Sequence, residues 1–132
     1  MNKRLNCILL VDDNEADNFF HRIVLEEMSV TKKIHVVENG IEAMDYLRNN
    51  DNQVPELIFL DINMPRMNGW ELLEAYSKFN DQRKAKIIIE MLTTSSNPDD
   101  LKRASLIPEV SGYTVKPLSA EMVSKILEKF FA

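Results

Sequence analysis

The sequence predicts an α/β fold in which a parallel sheet is covered by helices on both faces. Short apolar runs of strand length alternate with segments whose apolar residues recur at helical spacing, five of each along the 132 residues. The run Leu57–Leu60 is apolar without alternation and lies between two prolines, as in a strand buried on both faces. Because crossovers between parallel strands are right-handed, helices are expected on both sides of the sheet.

Apolar periodicity and one helix cap define the first two strand and helix pairs. An apolar run at 6–11 is followed by helical spacing of apolar residues over 16–28. A shorter apolar run at 34–37 predicts the second strand. Asn39, with Glu42 three residues later, has the pattern of a helix N-terminus.

The middle of the chain repeats this arrangement. Helical periodicity over 72–79 follows the strand at 57–60, and another apolar run at 87–92 predicts the fourth strand. Asn97, followed by proline and two acids, is a strong start for the fourth helix. That helix must end near residue 106, because the residue before the next proline is pushed out of the helical region.

A fifth strand at 112–115 and a helix capped by Ser119 complete the predicted sheet. The chain contains three glycines and no low-complexity segment or internal repeat. We therefore expect one domain over residues 1–132, with no effector domain.

Composition excludes several classes of function. The formal net charge of −5, with dispersed lysines and arginines, argues against general nucleic-acid binding, which needs a basic face. The sequence shows neither an apolar run of membrane-spanning length nor a signal peptide, so a cytoplasmic protein without membrane contact is expected. The single cysteine, Cys7, lies in an apolar run and is expected in the core.

Polar residues with complementary chemistry follow four predicted strands. They are Asp12 and Asp13 after the first, Asp61 after the third, Thr93 after the fourth and Lys116 after the fifth. The carboxyl ends of parallel strands share one edge, where such sheets bind ligands. If the first and third strands are neighbours, three carboxylates converge and require a cation, and oxygen ligands favour Mg²⁺.

These groups outline a phosphoryl-transfer site. Asp61 is the natural nucleophile, because a carboxylate can hold a phosphoryl group as an acyl phosphate. Lys116 and a metal held by Asp12 and Asp13 would neutralise the transferred group, and Thr93 would donate a hydrogen bond to it. Each residue alone has a simpler explanation, such as a helix cap, a turn or a polar loop. The coincidence of four strand ends favours the site.

Four motifs surround these strand ends. They are Val11-Asp12-Asp13; Leu60-Asp61-Ile62-Asn63-Met64-Pro65 with Asn68-Gly69; Leu92-Thr93; and Tyr113-Thr114-Val115-Lys116-Pro117. In order and spacing, over the whole chain, they resemble the stand-alone, chemotaxis-like receiver domain of two-component response regulators. The resemblance implies a flavodoxin-like doubly wound sheet of order 2-1-3-4-5, in which the first and third strands are neighbours.

The resemblance also implies a role for each site residue. Asp61 would accept phosphate from the phosphohistidine of a sensor histidine kinase or a histidine phosphotransfer protein. The other implied roles are Mg²⁺ ligation by the Asp13 and Asp61 side chains, by the Asn63 backbone carbonyl and by Asp12 mainly through water, and phosphoryl contact by Thr93 and Lys116. Thr94 is the alternative to Thr93, because it restores the family's spacing to Lys116. By family analogy, Asn63 and Ser95 set the phosphate lifetime.

The implied output is a change in protein binding. Tyr113 occupies the position of the family's switch aromatic, with an ordinary half-buried tyrosine as the alternative. Phosphorylation would bias an equilibrium of the fourth helix, fifth strand and fifth helix, the face expected to bind a downstream protein. On this view the chain is a phosphoacceptor switch that assists its own phosphorylation and dephosphorylation, and is not an enzyme.

Other functions are open on the sequence alone. A phosphorelay shuttle would pass the phosphoryl group to a histidine phosphotransfer protein. A Mg²⁺-dependent aspartyl-phosphate phosphatase is disfavoured, because such enzymes use a second acid where Asn63 stands. Flavin binding is disfavoured by the acidic loop after the first strand. A module that binds partners without phosphate has no need for clustered acids.

Overall fold

The computed structural model describes residues 4–79, 81–94 and 96–131, and shows a five-stranded parallel sheet of order β2-β1-β3-β4-β5. The predicted fold class and strand order are confirmed. The strands are β1 (Ile8–Val11), β2 (Ile34–Val37), β3 (Leu57–Leu60), β4 (Ile88–Thr93) and β5 (Val110–Val115). The α-helices are α1 (Glu15–Met28), α2 (Gly40–Arg48), α3 (Gly69–Lys78), α4 (Pro98–Ser105) and α5 (Ala120–Phe131), and a 3₁₀ helix covers Gln82–Lys86.

The strand boundaries differ from prediction where the pairing is irregular. Strand β1 begins two residues later than predicted, and before it Leu5 makes an isolated bridge to Thr31. Strand β5 begins at Val110, two residues earlier than predicted. Its register shifts between the pairs Ile89–Val110 and Glu90–Gly112. This bulge incorporates a polar segment that the apolar pattern did not identify as strand.

Two apolar layers enclose the sheet. One packs α2, α3 and α4 against strand residues that include Ile89 and Met91, and the other packs α1 and α5 against residues that include Ile88 and Leu92. All four residues of β3 are buried, as its uninterrupted apolar sequence predicts. Each fully buried leucine or isoleucine contributes about 1.5–3 kcal/mol, so this central strand fixes the position of the residue that follows it.

Side-chain caps fix the helix starts beside the carboxyl ends of the strands. The predicted caps are confirmed, with Asn39 accepting from the amide of Glu42 and Ser119 accepting from the amide of Met122. The cap of α4, Asn97, is also confirmed. Among the described residues, no helix combines the length and the apolar character that crossing a bilayer requires.

Candidate functional site

Backbone hydrogen bonds between strands set the predicted site residues side by side. The amide of Asp61 donates to the carbonyl of Val11 at 3.0 Å, which places Asp61 beside Asp12 at the ends of β3 and β1. The amide of Lys116 donates to the carbonyl of Thr93 at 2.8 Å, which joins the ends of β5 and β4 in the same way. The residues of four strand ends therefore meet at one edge of the sheet.

Three aspartates form an acidic cluster at this edge. One carboxylate oxygen from each of Asp12, Asp13 and Asp61 lies within 4.8 Å of the others. Asp12 and Asp61 are 4% and 7% exposed, whereas Asp13 is exposed to solvent. Three oxygen donors of this kind fit a hard divalent cation such as Mg²⁺ or Mn²⁺. The geometry therefore agrees with the metal site expected from the strand ends.

Lys116 supplies the positive charge of the site. Its side chain is only 7% exposed, and its Nζ lies 2.6 Å from Asp12 Oδ2, 2.7 Å from Asp17 Oδ2 and 3.9 Å from Asp61 Oδ2. Burial alone would lower the pKa of Lys116, but the hydrogen bonds to Asp12 and Asp17 and the surrounding negative charge outweigh it and raise the pKa. The ammonium is therefore held in its charged form.

The electrostatic environment of Asp61 differs from that of an exposed carboxylate. Burial, followed by the neighbouring charge of Asp12, raises the pKa of Asp61 to about 6. Lys116, a hydrogen bond from the Thr93 side chain and a backbone amide act in the opposite direction. A desolvated carboxylate beside one ammonium and one hydroxyl donor is suited to nucleophilic attack on an electrophile that carries negative charge.

The switch hydroxyl has two candidates in the sequence, and the structure separates their positions. Thr93 is the last residue of β4, is completely buried and hydrogen-bonds the Asp61 carboxylate. Thr94 lies beyond the strand and is exposed. The geometry therefore places Thr93 in the site.

Comparison with known proteins identifies the family. The profile of the response regulator receiver domain matches residues 8–128. The chain belongs to the response regulator receiver family. It is 34% identical over 125 residues to the probable methanogenesis regulatory protein FilR2 of Methanothrix harundinacea, a match that covers 92% of this chain and 79% of that protein.

Solved structures agree with this assignment. A two-component response regulator from Cytophaga hutchinsonii matches with a TM-score of 0.89 and 29% identity, covering 97% of this chain and 98% of that one. The Mn²⁺-bound response regulator Rcp1 matches with a TM-score of 0.70 and 28% identity, covering 94% of this chain and 90% of that one. A response regulator named Rcp1 is known from Synechocystis. Receiver domains bind Mg²⁺ or Mn²⁺ at an acidic pocket, and the aspartate cluster of this receiver has the composition of such a pocket.

The loop after Asp61 is held close to the strand end. Gly69 donates its amide to the carbonyl of Ile62 at 2.8 Å, and a Cβ at this position would collide with the carbonyl oxygen of Asp61. Asn68 and Glu71 form a reciprocal capping box at the start of α3. Asn63, the predicted backbone ligand and lifetime residue, is exposed in this loop. Ser95, the other predicted lifetime residue, lies outside the described residues.

Tyr113 is half-buried on β5, outside the acidic cluster. It lines a cavity of about 580 Å³ between α4 and β5, together with Leu101 and Ala104. The cavity adjoins the face expected to bind a downstream protein. The role of Tyr113 as the switch aromatic stays a prediction.

Two residues of the site were missed in the sequence. Asp17, in the first turn of α1, accepts a hydrogen bond from Lys116, and Asn18 is buried with its amide nitrogen donating to the carbonyl of Asp12 at 2.8 Å. Asn14 caps α1, so the alternative in which Asp12 and Asp13 serve as the helix cap is wrong. In the sequence Asp17 is simply an acid in the first turn of the helix that follows a site strand, which does not distinguish it from other such acids.

Proposed function

We propose that this receiver accepts a phosphoryl group on Asp61 from the phosphohistidine of a sensor histidine kinase or a histidine phosphotransfer protein. The phosphorylated form then differs from the free form in its affinity for a protein partner. The observation that supports this most directly is the buried Lys116 ammonium, which lies 3.9 Å from Asp61 and is paired with Asp12 and Asp17.

The residues of the chain divide the transfer reaction among them. A carboxylate oxygen of Asp61 forms a bond to phosphorus as the P–N bond breaks. The imidazole, which carries a proton on its other ring nitrogen, departs neutral with the bonding electron pair. Lys116 and the Thr93 hydroxyl stabilise the negative charge on the transferred phosphoryl oxygens. A divalent cation held by Asp12, Asp13 and Asp61, with the Asn63 carbonyl as a further ligand, would neutralise the rest of that charge.

The transferred group competes for contacts that already exist in the free protein. Thr93 hydrogen-bonds Asp61, and Lys116 is held by Asp12 and Asp17. A phosphoryl group on Asp61 would draw both donors toward its oxygens. Thr93 ends β4, and Lys116 directly follows the last residue of β5. Their displacement would carry the effect of phosphorylation from the site to the face formed by α4, β5 and α5. On that face, the side chain of Tyr113 would move together with Thr93.

Intact-protein mass spectrometry tests this proposal. Incubation with Mg²⁺ and acetyl phosphate is expected to add one phosphoryl group, and hydroxylamine, which cleaves acyl phosphates, should remove it. Chelation of Mg²⁺ should prevent the addition. The same protein should take up one phosphoryl group from a phosphorylated histidine phosphotransfer domain. If the protein gained mass from neither donor although Mg²⁺ was shown to bind, the proposal would be overturned.

Asp17 is expected to restrain Lys116, so Asp17→Asn should change the rate of phosphoryl uptake. Loss of one charged hydrogen bond frees the ammonium to approach Asp61, and we expect uptake from acetyl phosphate to be about 3- to 10-fold faster. The measurement is the initial rate of mass gain. Glu15→Gln, an exposed acid in the same helical turn, is the control and should leave the rate unchanged. Slower uptake by Asp17→Asn would mean that Asp17 orients Lys116 for the reaction.

A further inference from the structure

Basic residues line a concavity at the amino-terminal end of the sheet. The concavity has a volume of about 400 Å³ and lies where α1 ends and where β1 and β2 begin. It is therefore at the opposite end of the strands from the acidic cluster. Its cationic side chains are those of Arg4, Arg22, Lys32 and Lys33, and we call it the basic pocket.

The basic pocket has a charge opposite to that of the whole chain. Four cations and one carboxylate, that of Glu26, line it, so its formal charge is +3, whereas the chain carries −5. Like charges around one concavity repel each other and focus a positive potential inside it. A bound anion would relieve this repulsion.

The segments that carry three of these cations are held side by side. The amide of Lys32 donates to the carbonyl of Leu5 at 2.8 Å, which joins the chain before β2 to the chain before β1. The guanidinium of Arg4 donates to the carbonyl of Thr31 at 3.2 Å, across the same two segments. Arg4, Lys32 and Lys33 are therefore brought together by the fold itself, so the pocket exists before any ligand binds.

The acids around the basic pocket neutralise little of its charge. Glu26 lies 3.9 Å from Arg22 Nε, and these side chains are 60% and 47% exposed, so their interaction is weakened by water. Over residues 4–79, 81–94 and 96–131, no carboxylate lies within ion-pair distance of Arg4, Lys32 or Lys33. Most of the positive charge of the pocket is thus available to a ligand.

The positive charge also affects a neighbouring side chain. Burial, followed by the charges of Lys33 and Arg22, lowers the pKa of His35 on β2. Glu56, another acid at this end of the sheet, accepts a hydrogen bond from the amide of Asn6. The potential at the start of β2 is therefore positive.

We propose that the basic pocket binds a diphosphate group, either as inorganic pyrophosphate or as part of a nucleoside diphosphate. A diphosphate carries several negative charges in a small volume, which matches four cations better than the single charge of a carboxylate side chain does. Arginine donates paired hydrogen bonds to phosphate oxygens, and the lysine ammonium binds them as a point charge. Among the described residues that line the pocket, Ile34 alone is apolar, so the walls suit a hydrophilic anion rather than a lipid tail.

Titration of the ¹⁵N-labelled protein in metal-free buffer tests the pocket. The probe is sodium pyrophosphate, and its comparisons, at equal ionic strength, are orthophosphate, ADP and a hexa-aspartate peptide. We expect saturable shifts of the Lys32 and Lys33 amide signals with pyrophosphate, and binding about tenfold weaker for orthophosphate, because charge-assisted hydrogen bonds are lost. ADP that binds at least as tightly as pyrophosphate would identify a nucleotide as the source of the diphosphate, and weaker binding would identify the inorganic ion.

Three variants complete the test. Arg22→Gln and Lys33→Gln should each weaken pyrophosphate binding by about fivefold or more, and should melt like the wild type because both side chains are exposed. Lys78→Gln removes the same charge from α3, where Lys78 pairs with Glu74 outside the pocket, and should bind pyrophosphate like the wild type.

Several results would overturn the proposal. They are equal weakening by all three variants, shifts that do not saturate, orthophosphate binding as tight as that of pyrophosphate, and tighter binding of the hexa-aspartate peptide than of pyrophosphate. Without metal the acidic cluster repels anions, so the titration does not report on the phosphoryl-transfer site. Failure here would therefore leave phosphoryl transfer to Asp61 unaffected.

Discussion

Replacement of Asp61 by asparagine is expected to abolish phosphoryl uptake and to leave the fold intact or slightly more stable in the absence of metal. Asparagine keeps the shape of the side chain but removes the nucleophilic carboxylate. It also removes a buried negative charge beside Asp12. Burial and the neighbouring charge of Asp12 raise the pKa of Asp61 to about 6, so the ionised carboxylate is unfavourable at this position. Mass spectrometry after incubation with acetyl phosphate should show no added phosphoryl group, and the melting temperature in EDTA should equal or exceed that of the wild type.

The design separates loss of the phosphoacceptor from loss of structure. Asp45→Asn changes an exposed aspartate of α2 in the same way and should retain both phosphoryl uptake and wild-type melting. Added Mg²⁺ should stabilise the wild type more than Asp61→Asn, since the variant lacks one of the three carboxylates of the cluster. Strong destabilisation of Asp61→Asn in EDTA would contradict the picture of mutually repelling acids. Full uptake by the variant would place the phosphoacceptor elsewhere.

The sequence predicted the fold because its local signals agree with one another. The buried pattern of Leu57–Leu60 required a parallel sheet covered on both faces, and the strand ends then put Asp61, Thr93 and Lys116 at one edge. The strand order came from family resemblance, since periodicity gives the face of a strand and not its neighbours. Boundaries failed where pairing was irregular, as at the bulge that precedes Gly112.

Residues whose role depends on distance could not be predicted from the pattern. Asp17 has a sufficient local explanation as an acid in the first turn of a helix, so nothing in the sequence shows its 2.7 Å contact with Lys116, 99 residues away. Glu90 interrupts an apolar run, which signals an unusual position. Only the register opposite Gly112 shows that the carboxylate is buried against a residue without a side chain. In both cases the missing information is tertiary.

Replacement of Lys116 by methionine is expected to destabilise the protein strongly in EDTA. Methionine preserves much of the side-chain volume but leaves Asp12, Asp17 and Asp61 without their shared cation. Removal of one partner from a buried ion pair costs about 3–5 kcal/mol, because the remaining charge is desolvated and unpaired. The pKa of Lys116 is raised in the folded protein, so its contribution is complete below the ordinary value of 10.5 and is lost only as pH rises through the folded value.

Urea unfolding at neutral pH, with and without Mg²⁺, measures this effect. Mg²⁺ should restore part of the lost stability of Lys116→Met, because a divalent cation near the same carboxylates replaces some of the missing positive charge. Lys125→Met is the matched control. Lys125 forms an ion pair with Glu121 at 3.2 Å, and both side chains are exposed. Loss of this exposed pair should change the free energy of unfolding by no more than about 0.5 kcal/mol. If the free energy of unfolding in EDTA fell equally little in both variants, the charge of Lys116 would not be what stabilises the clustered carboxylates.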